Sequence, residues 1–190
     1  MAAGEIMKKS KQLTGTEVIN PESGEIIGRV KDTLFLPGDK KIRGLLVSCG
    51  RWIKSLKILT VEDIKVIGND AILIKSSGKL IECEKLQGFK EAVNEKKRVM
   101  GLKLITNDGE ELGFIEDIIV DEKDCTIEGY VLTDGIIEDV IKGKLIIPST
   151  DEIIFGKDAV FISSDCRNIV LKNDISLKKI LKKTGEEETK

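Results

Sequence analysis

A mainly β chain, two tandem small antiparallel β-barrels joined by a short helix and followed by a short C-terminal helix, is what three observations predict. The first is internal repetition. SGEIIG (Ser23 to Gly28) recurs as DGEELG (Asp108 to Gly113), and an offset of 85 holds for 21 positions, seven of them identical: Gly24/Gly109, Glu25/Glu110, Gly28/Gly113, Asp32/Asp117, Asp39/Asp124, Ile42/Ile127 and Gly44/Gly129. At an offset of 88 the match resumes with Asp63/Asp151, Gly68/Gly156, Asp70/Asp158, Ala71/Ala159 and Ile74/Ile162. A repeat of this kind separates residues the fold needs from residues free to diverge. The second observation is the recurrence of short β-branched runs bounded by Gly, Pro, Asn and Asp, the pattern of small all-β modules. The third is length: a chain of 190 residues divides naturally into two such modules.

The elements follow in order. Residues 13–80 form the first module, with strands predicted at Glu17–Ile19, Ile26–Leu36, Ile42–Ser48, Lys57–Thr60 and Ala71–Lys75. Residues 81–98 form a helical connector, because Leu86, Phe89, Ala92 and Val93 fall on one helical face. Residues 99–175 repeat the strands as Lys103–Thr106, Leu112–Asp121, Ile127–Thr133, Leu145–Ile147 and Ala159–Ser163. The hairpin turns PGDKK and EKDCT differ in letters but match in length, and turn length sets register. Residues 176–190 read as a short basic helix capped by Ser176, then a disordered tail. The stretch MAAGEIMKKSKQ is too polar for a signal peptide, and its leading residues read as a tail or an appended remnant. Modules of this size bury only about 60–65% of their unfolded surface and are marginal alone, so some docking between them is expected.

Charge divides the halves. Residues 1–97 carry 18 Lys+Arg and 13 Asp+Glu, and residues 98–190 carry 13 and 20. At equivalent positions signs invert, Lys31 against Glu116 and Arg43 against Glu128, which suggests complementary surfaces within a chain or between chains. No apolar run has signal-peptide or membrane-span length, so membrane insertion is not expected. Four widely spaced cysteines, Cys49, Cys83, Cys125 and Cys166, read as reduced thiols of a cytoplasmic protein rather than a disulfide framework. The Ile/Lys/Glu-rich composition suggests a bacterium or archaeon.

The repeated segment G-x-x-(I/L)-G-x-(V/I)-x-D, followed by an apolar strand, a turn and an I-x-G strand, resembles the PRC-barrel family. Here it comprises Gly24, Ile27, Gly28, Val30, Asp32, Ile42 and Gly44, and again Gly109, Leu112, Gly113, Ile115, Asp117, Ile127 and Gly129. The stretch TDGIIEDVIKGKLIIP (Thr133 to Pro148) is similar to a second family segment, and SCGRWIKSLKILTVEDI (Ser48 to Ile64) is its more divergent counterpart. Members include the cytoplasmic domain of the photosynthetic reaction-centre H subunit and the C-terminal domain of a bacterial ribosome-maturation factor. The resemblance implies a barrel fold and docking onto larger assemblies, and it supplies no shared catalytic residue.

The residues themselves point the same way. Gly24, Gly28, Gly44, Gly109, Gly113 and Gly129 flank strands rather than open a helix, so turns and tight bends explain them better than phosphate binding. Asp32 and Asp117 fall on otherwise apolar faces unless a bulge intervenes. Their presence in both copies favours a structural role, accepting backbone N–H bonds at a barrel corner. With no histidine, no nucleophile–base pair is visible, and no metal-ligand spacing is present, so no enzyme, cofactor or metal is expected. Lys40, Lys41, Arg43, Arg51, Lys54 and Lys57 with Trp52 make a basic patch that would suit RNA. The stronger expectation is a binding adaptor for a protein partner, with self-association also open. Its contacts would come from the inter-strand loops: Lys41, Arg43, Arg51, Trp52 and Lys54 in the first module, Asp134, Ile136, Ile137, Glu138 and Asp139 in the second.

Overall fold

The structure, a computed structural model, describes residues 7–50, 55–133 and 146–165. Among the described residues each half is a seven-stranded sheet. In the first half the strands are β2 (Glu17–Asn20), β3 (Glu25–Leu34), β4 (Gly44–Cys49), β5 (Ser55–Thr60), β6 (Ile64–Ile67), β7 (Ala71–Ile74) and β8 (Ile81–Glu82), in the spatial order β6-β7-β2-β3-β4-β5-β8. In the second they are β9 (Lys103–Thr106), β10 (Glu111–Asp121), β11 (Ile127–Leu132), β12 (Ile146–Pro148), β13 (Ile154–Phe155) and β14 (Ala159–Ile162), in the order β12-β11-β10-β9-β14-β13. The seventh strand of that sheet, β1 (Met7–Lys9), lies on β10 and comes from the other end of the chain.

The expectation of purely antiparallel sheets is corrected at one place in each half. β2 runs parallel to β7, and β9 runs parallel to β14. The first and last long strands of each module thus lie side by side, a non-local pairing that local alternation cannot report. β6 also escaped the sequence reading. A register shift between Ile64 and Val66 leaves Ile64 and Ile67 both buried, so the period of two is broken.

The N-terminal stretch is not a tail from Met7 onward. β1 continues into the one-turn helix α1 (Ser10–Leu13), and Met7 and Leu13 are buried. Only two of its seven residues are large apolar ones, and the rest of its anchorage is polar. Lys8 Nζ donates to the Gly68 carbonyl of the first half at 2.6 Å and lies 2.8 Å from Glu122 Oε1 of the second. The connector helix is present as α2 (Phe89–Val99), starting eight residues into the predicted connector, and Leu86 packs beside it from the preceding turn.

The halves share one core. A single buried cluster runs from Val18, Val30, Leu45 and Ile72 to Leu104, Ile115, Tyr130 and Val160. They join at the tips of their long hairpins. Ile42 N donates to the Cys125 carbonyl at 3.0 Å, Ile127 N donates to the Lys40 carbonyl at 2.9 Å, and Lys41 bridges Thr126. Cys125 takes a left-handed backbone, φ 63°. Charge crosses the same boundary: Lys8–Glu122, Lys11–Glu116, Lys40–Asp151 and Lys41–Asp124 each set a lysine of the first half against an acid of the second. The opposed charges thus meet within the chain, with partners other than those the repeat comparison suggested. Glu116 is paired with Lys11, and Arg43 with Asp39.

Candidate functional site

The repeated residues organise the fold. Gly24 and Gly109 sit at left-handed turn positions, φ 68° and 91°. Gly28 lies where β3 meets β4, and Gly113 at a register shift opposite β9. At Gly44 and Gly129 strands approach so closely that an added Cβ would stand 2.7 Å from the Leu59 carbonyl oxygen or 2.5 Å from that of Ile147.

Asp32 and Asp117 each follow a bulge. The register shifts between Val30 and Asp32, and again between Ile115 and Asp117, so Lys31 and Glu116 are the extra residues. Each bulge turns its aspartate away from the shared core, which Val30 and Ile115 enter, towards the opposite face of the sheet. That face is also apolar. In the first half α2 covers it through Ala92 and Phe89, against Leu34 and Ile58; in the second β1 covers it, with Met7 against Ile119 and Val131.

The partners of the two carboxylates correct the expected role. Each accepts its neighbour's amide, Thr33 N at 2.9 Å and Ile118 N at 2.8 Å, but the remaining donors come from helices rather than from a turn. Asp117 is 2% exposed and accepts the Ser10 hydroxyl and, at 3.2 Å, the Lys11 amide, both from α1. Asp32 is half-exposed and pairs with Lys96 of α2, whose ammonium also donates to Thr33 Oγ1 at 2.8 Å. Sequence reasoning missed Ser10 and Lys96. They occupy equivalent positions, each three residues before the buried apolar residue (Leu13 or Val99) that precedes a repeated Gly (Gly15, Gly101). Their chemistry differs, so the letters do not align.

Among the predicted partner-binding residues, Lys41 and Arg43 are described. Lys41 Nζ donates to Asp124 Oδ2 at 3.1 Å, and Arg43 Nε donates to Asp39 Oδ2 at 2.7 Å. The hydrogen bond to Asp39 raises the Arg43 pKa. Asp124 is held below the usual carboxylate range, first by its hydrogen bond with Thr126 and then also by Lys41. Lys40 is paired as well, with Asp151. Arg51, Trp52, Lys54, Asp134, Ile136, Ile137, Glu138 and Asp139 lie outside the described residues, as does the C-terminal helix predicted from Ser176.

What the structure does show is the ground on which both loops stand. At the base of the first, Leu56 is 49% exposed and pairs with Ser48, while Ile26 is 54% exposed and lines an open cleft of about 990 Å³ with Ser48 and Gly50. At the base of the second, Phe114 is 40% exposed, and its carbonyl accepts the Thr133 amide at 2.8 Å. A second hollow of about 520 Å³ lies at the junction of the halves, between Lys40, Thr126, Tyr130, Asp151 and Phe155. Among the described residues no group of three or more acidic, cysteine or histidine side chains is placed to hold a metal ion. No described helix is long and apolar enough to cross a membrane.

Comparison with known proteins gives one family. The PRC-barrel domain model matches twice, over residues 5–81 and 94–166. No curated protein matches the chain.

Proposed function

We propose that this chain, which belongs to the PRC-barrel family in both of its halves, is a non-catalytic adaptor that docks a protein partner through the inter-strand loops of two small barrels. The observation carrying this reading is the exposure of Ile26, Leu56 and Phe114 at the bases of the two loops. Large apolar side chains left in water beside a loop are the usual anchor of a protein contact. The reading places the chain in the cytoplasm, on cysteines that are free among the described residues, Cys49, Cys83 and Cys125.

The ion pairs favour a protein over a nucleic acid. Lys40, Lys41 and Arg43 supply half of the basic patch, and each already faces a carboxylate. A polyanion would have to displace those acids before its phosphates could be neutralised.

Capture of the tagged chain from its native cell extract tests this, with half the sample nuclease-treated and Leu56→Ser/Phe114→Ser run beside it. The expected result is a protein partner that survives nuclease and is lost from the double variant. Partners that vanish with nuclease, and persist with the double variant, would overturn the proposal in favour of RNA.

A further inference from the structure

The contacts between the halves obey a two-fold relation that the fold of either half does not require. Lys40 and Cys125 are equivalent by the repeat, as are Ile42 and Ile127. The two backbone hydrogen bonds that join the hairpin tips, Ile42 N–H to the Cys125 carbonyl and Ile127 N–H to the Lys40 carbonyl, are therefore the same bond made twice in opposite senses. Lys41 and Thr126 are likewise equivalent and face each other, so the local axis passes between them. The helices follow the same rule. α1 precedes the first module and binds Asp117 of the second; α2 precedes the second module and binds Asp32 of the first. Each module lends the element before it to the other. Reciprocal contact of residue i with j and j with i is the signature of an isologous dimer interface.

The letters at that interface are not symmetric, and the asymmetry has a direction. A first module facing another first module would keep acids for Lys41 and Lys40, since Asp39 and Asp63 stand where the second module has Asp124 and Asp151, but it would set Lys41 against Lys41. It would also set Lys11 against Lys31, which stands where the second module has Glu116. A second module facing another second module would leave Asp124 and Asp151 without Lys41 and Lys40, whose places are taken by Thr126 and Cys125. Only the mixed pairing opposes lysine to acid at all three sites. Like charges brought face to face are the usual means of excluding a wrong partner.

We propose that the surface joining the halves is a heterotypic recognition face: each module is a specific binding partner for a module of the other kind, and the chain is a dimer of unlike PRC-barrel modules made covalent by the connector. The occupant of the face is the complementary half of this sequence, and the three contacts of Lys11, Lys40 and Lys41 select it.

The test uses the full chain with a protease site inserted after the exposed Gln87, cleaved once folded, and native mass spectrometry at rising salt. The expected result is a one-to-one complex of the two fragments, with like pairs below roughly a tenth of the mixed pair. Exchange with an isotope-labelled cleaved copy, or refolding of the mixture from urea, should restore only mixed pairs. Lys11→Glu/Lys41→Glu should raise the apparent dissociation constant at least tenfold, and adding Glu116→Lys/Asp124→Lys should recover most of it. Fragments that separate on cleavage while remaining folded would overturn the proposal. So would a statistical mixture of like and unlike pairs after exchange, or charge variants that bind as tightly as the parent.

Discussion

Asp32 and Asp117 occupy one repeat position, yet their removal should have unequal consequences. Asp117 is 2% exposed and receives three donors: the Ser10 hydroxyl, the Lys11 amide and the Ile118 amide. Replacing it by alanine leaves these groups without an acceptor in a site water cannot reach. A hydrogen bond to a charged group contributes about 1.5–3 kcal/mol. The 3.2 Å Lys11 contact is the weakest of the three, so Asp117→Ala should cost about 3–4 kcal/mol. Asp32 has a side chain 48% exposed. Water can replace it as the partner of the Thr33 amide, and Lys96, 12% exposed, keeps the Thr33 carbonyl and hydroxyl as acceptors, so the loss falls to about 1 kcal/mol. Urea unfolding followed by far-ultraviolet circular dichroism would read both losses, and for a chain of this size they correspond to Tm shifts of roughly 10 °C and 3 °C. Ser10→Ala combined with Asp117→Ala should cost less than the sum of the singles by about 1–2 kcal/mol, because they remove the same bond. Equal losses at Asp32 and Asp117, or a cost at Asp117 below about 1 kcal/mol, would refute the argument that the α1 contact is the tighter of the two.

Three further outcomes follow from other parts of the fold. Gly129→Ala, whose Cβ would stand 2.5 Å from the Ile147 carbonyl oxygen, should destabilise by about 1–3 kcal/mol, while Gly129→Ser should be worse; denaturant midpoints would show it. Lys8→Ala should lower stability by about 2–4 kcal/mol, because it strands the side chain of Glu122, only 9% exposed; thermal unfolding of the variant measures it, and an unchanged midpoint would return Lys8 to the status of a tail residue. Burial pushes the Cys125 thiol up from 9.0 to about 11 and the Tyr130 hydroxyl up from 10.0 to about 12. The folded chain holds these protons longer than the unfolded one, so their stabilisation is whole below pH 9 and is lost between pH 9 and 12. Denaturant titrations across that range should show the fall, and Cys125 should resist thiol reagents at pH 8 until the chain unfolds.

The sequence made the repeat, the hairpins and the aspartates visible because each is local. A glycine at a turn, a matched turn length and a carboxylate among β-branched residues can all be seen within ten positions. The exceptions have physical causes. Alternation places Asp117 beside Ile115, but a bulge at Glu116 re-aims it, and a bulge adds a residue without announcing itself in composition. The parallel pairing of β9 with β14 joins residues more than fifty positions apart, and no turn connects them. Residues Met7 to Leu13 carried no sequence signal because lysine and serine do there what leucine does elsewhere: Lys8 and Ser10 are buried through polar partners distant in the chain. The exposed apolar side chains Ile26, Leu56 and Phe114 could not be told from core residues, since one apolar residue in a strand reads like another until its face is known.

The crossing of α1 and β1 onto the second module also fixes a timetable for biosynthesis. Met7 finds its partner only when Asp121 exists, and Asp32 waits for Lys96. At a ribosomal rate of about 5–20 residues per second, the first strand is therefore carried unpaired for roughly 6–20 s. The first half emerges with its helix-covered face bare, and the amino-terminal strand is seated only once residues 119–121 of the second half have been made.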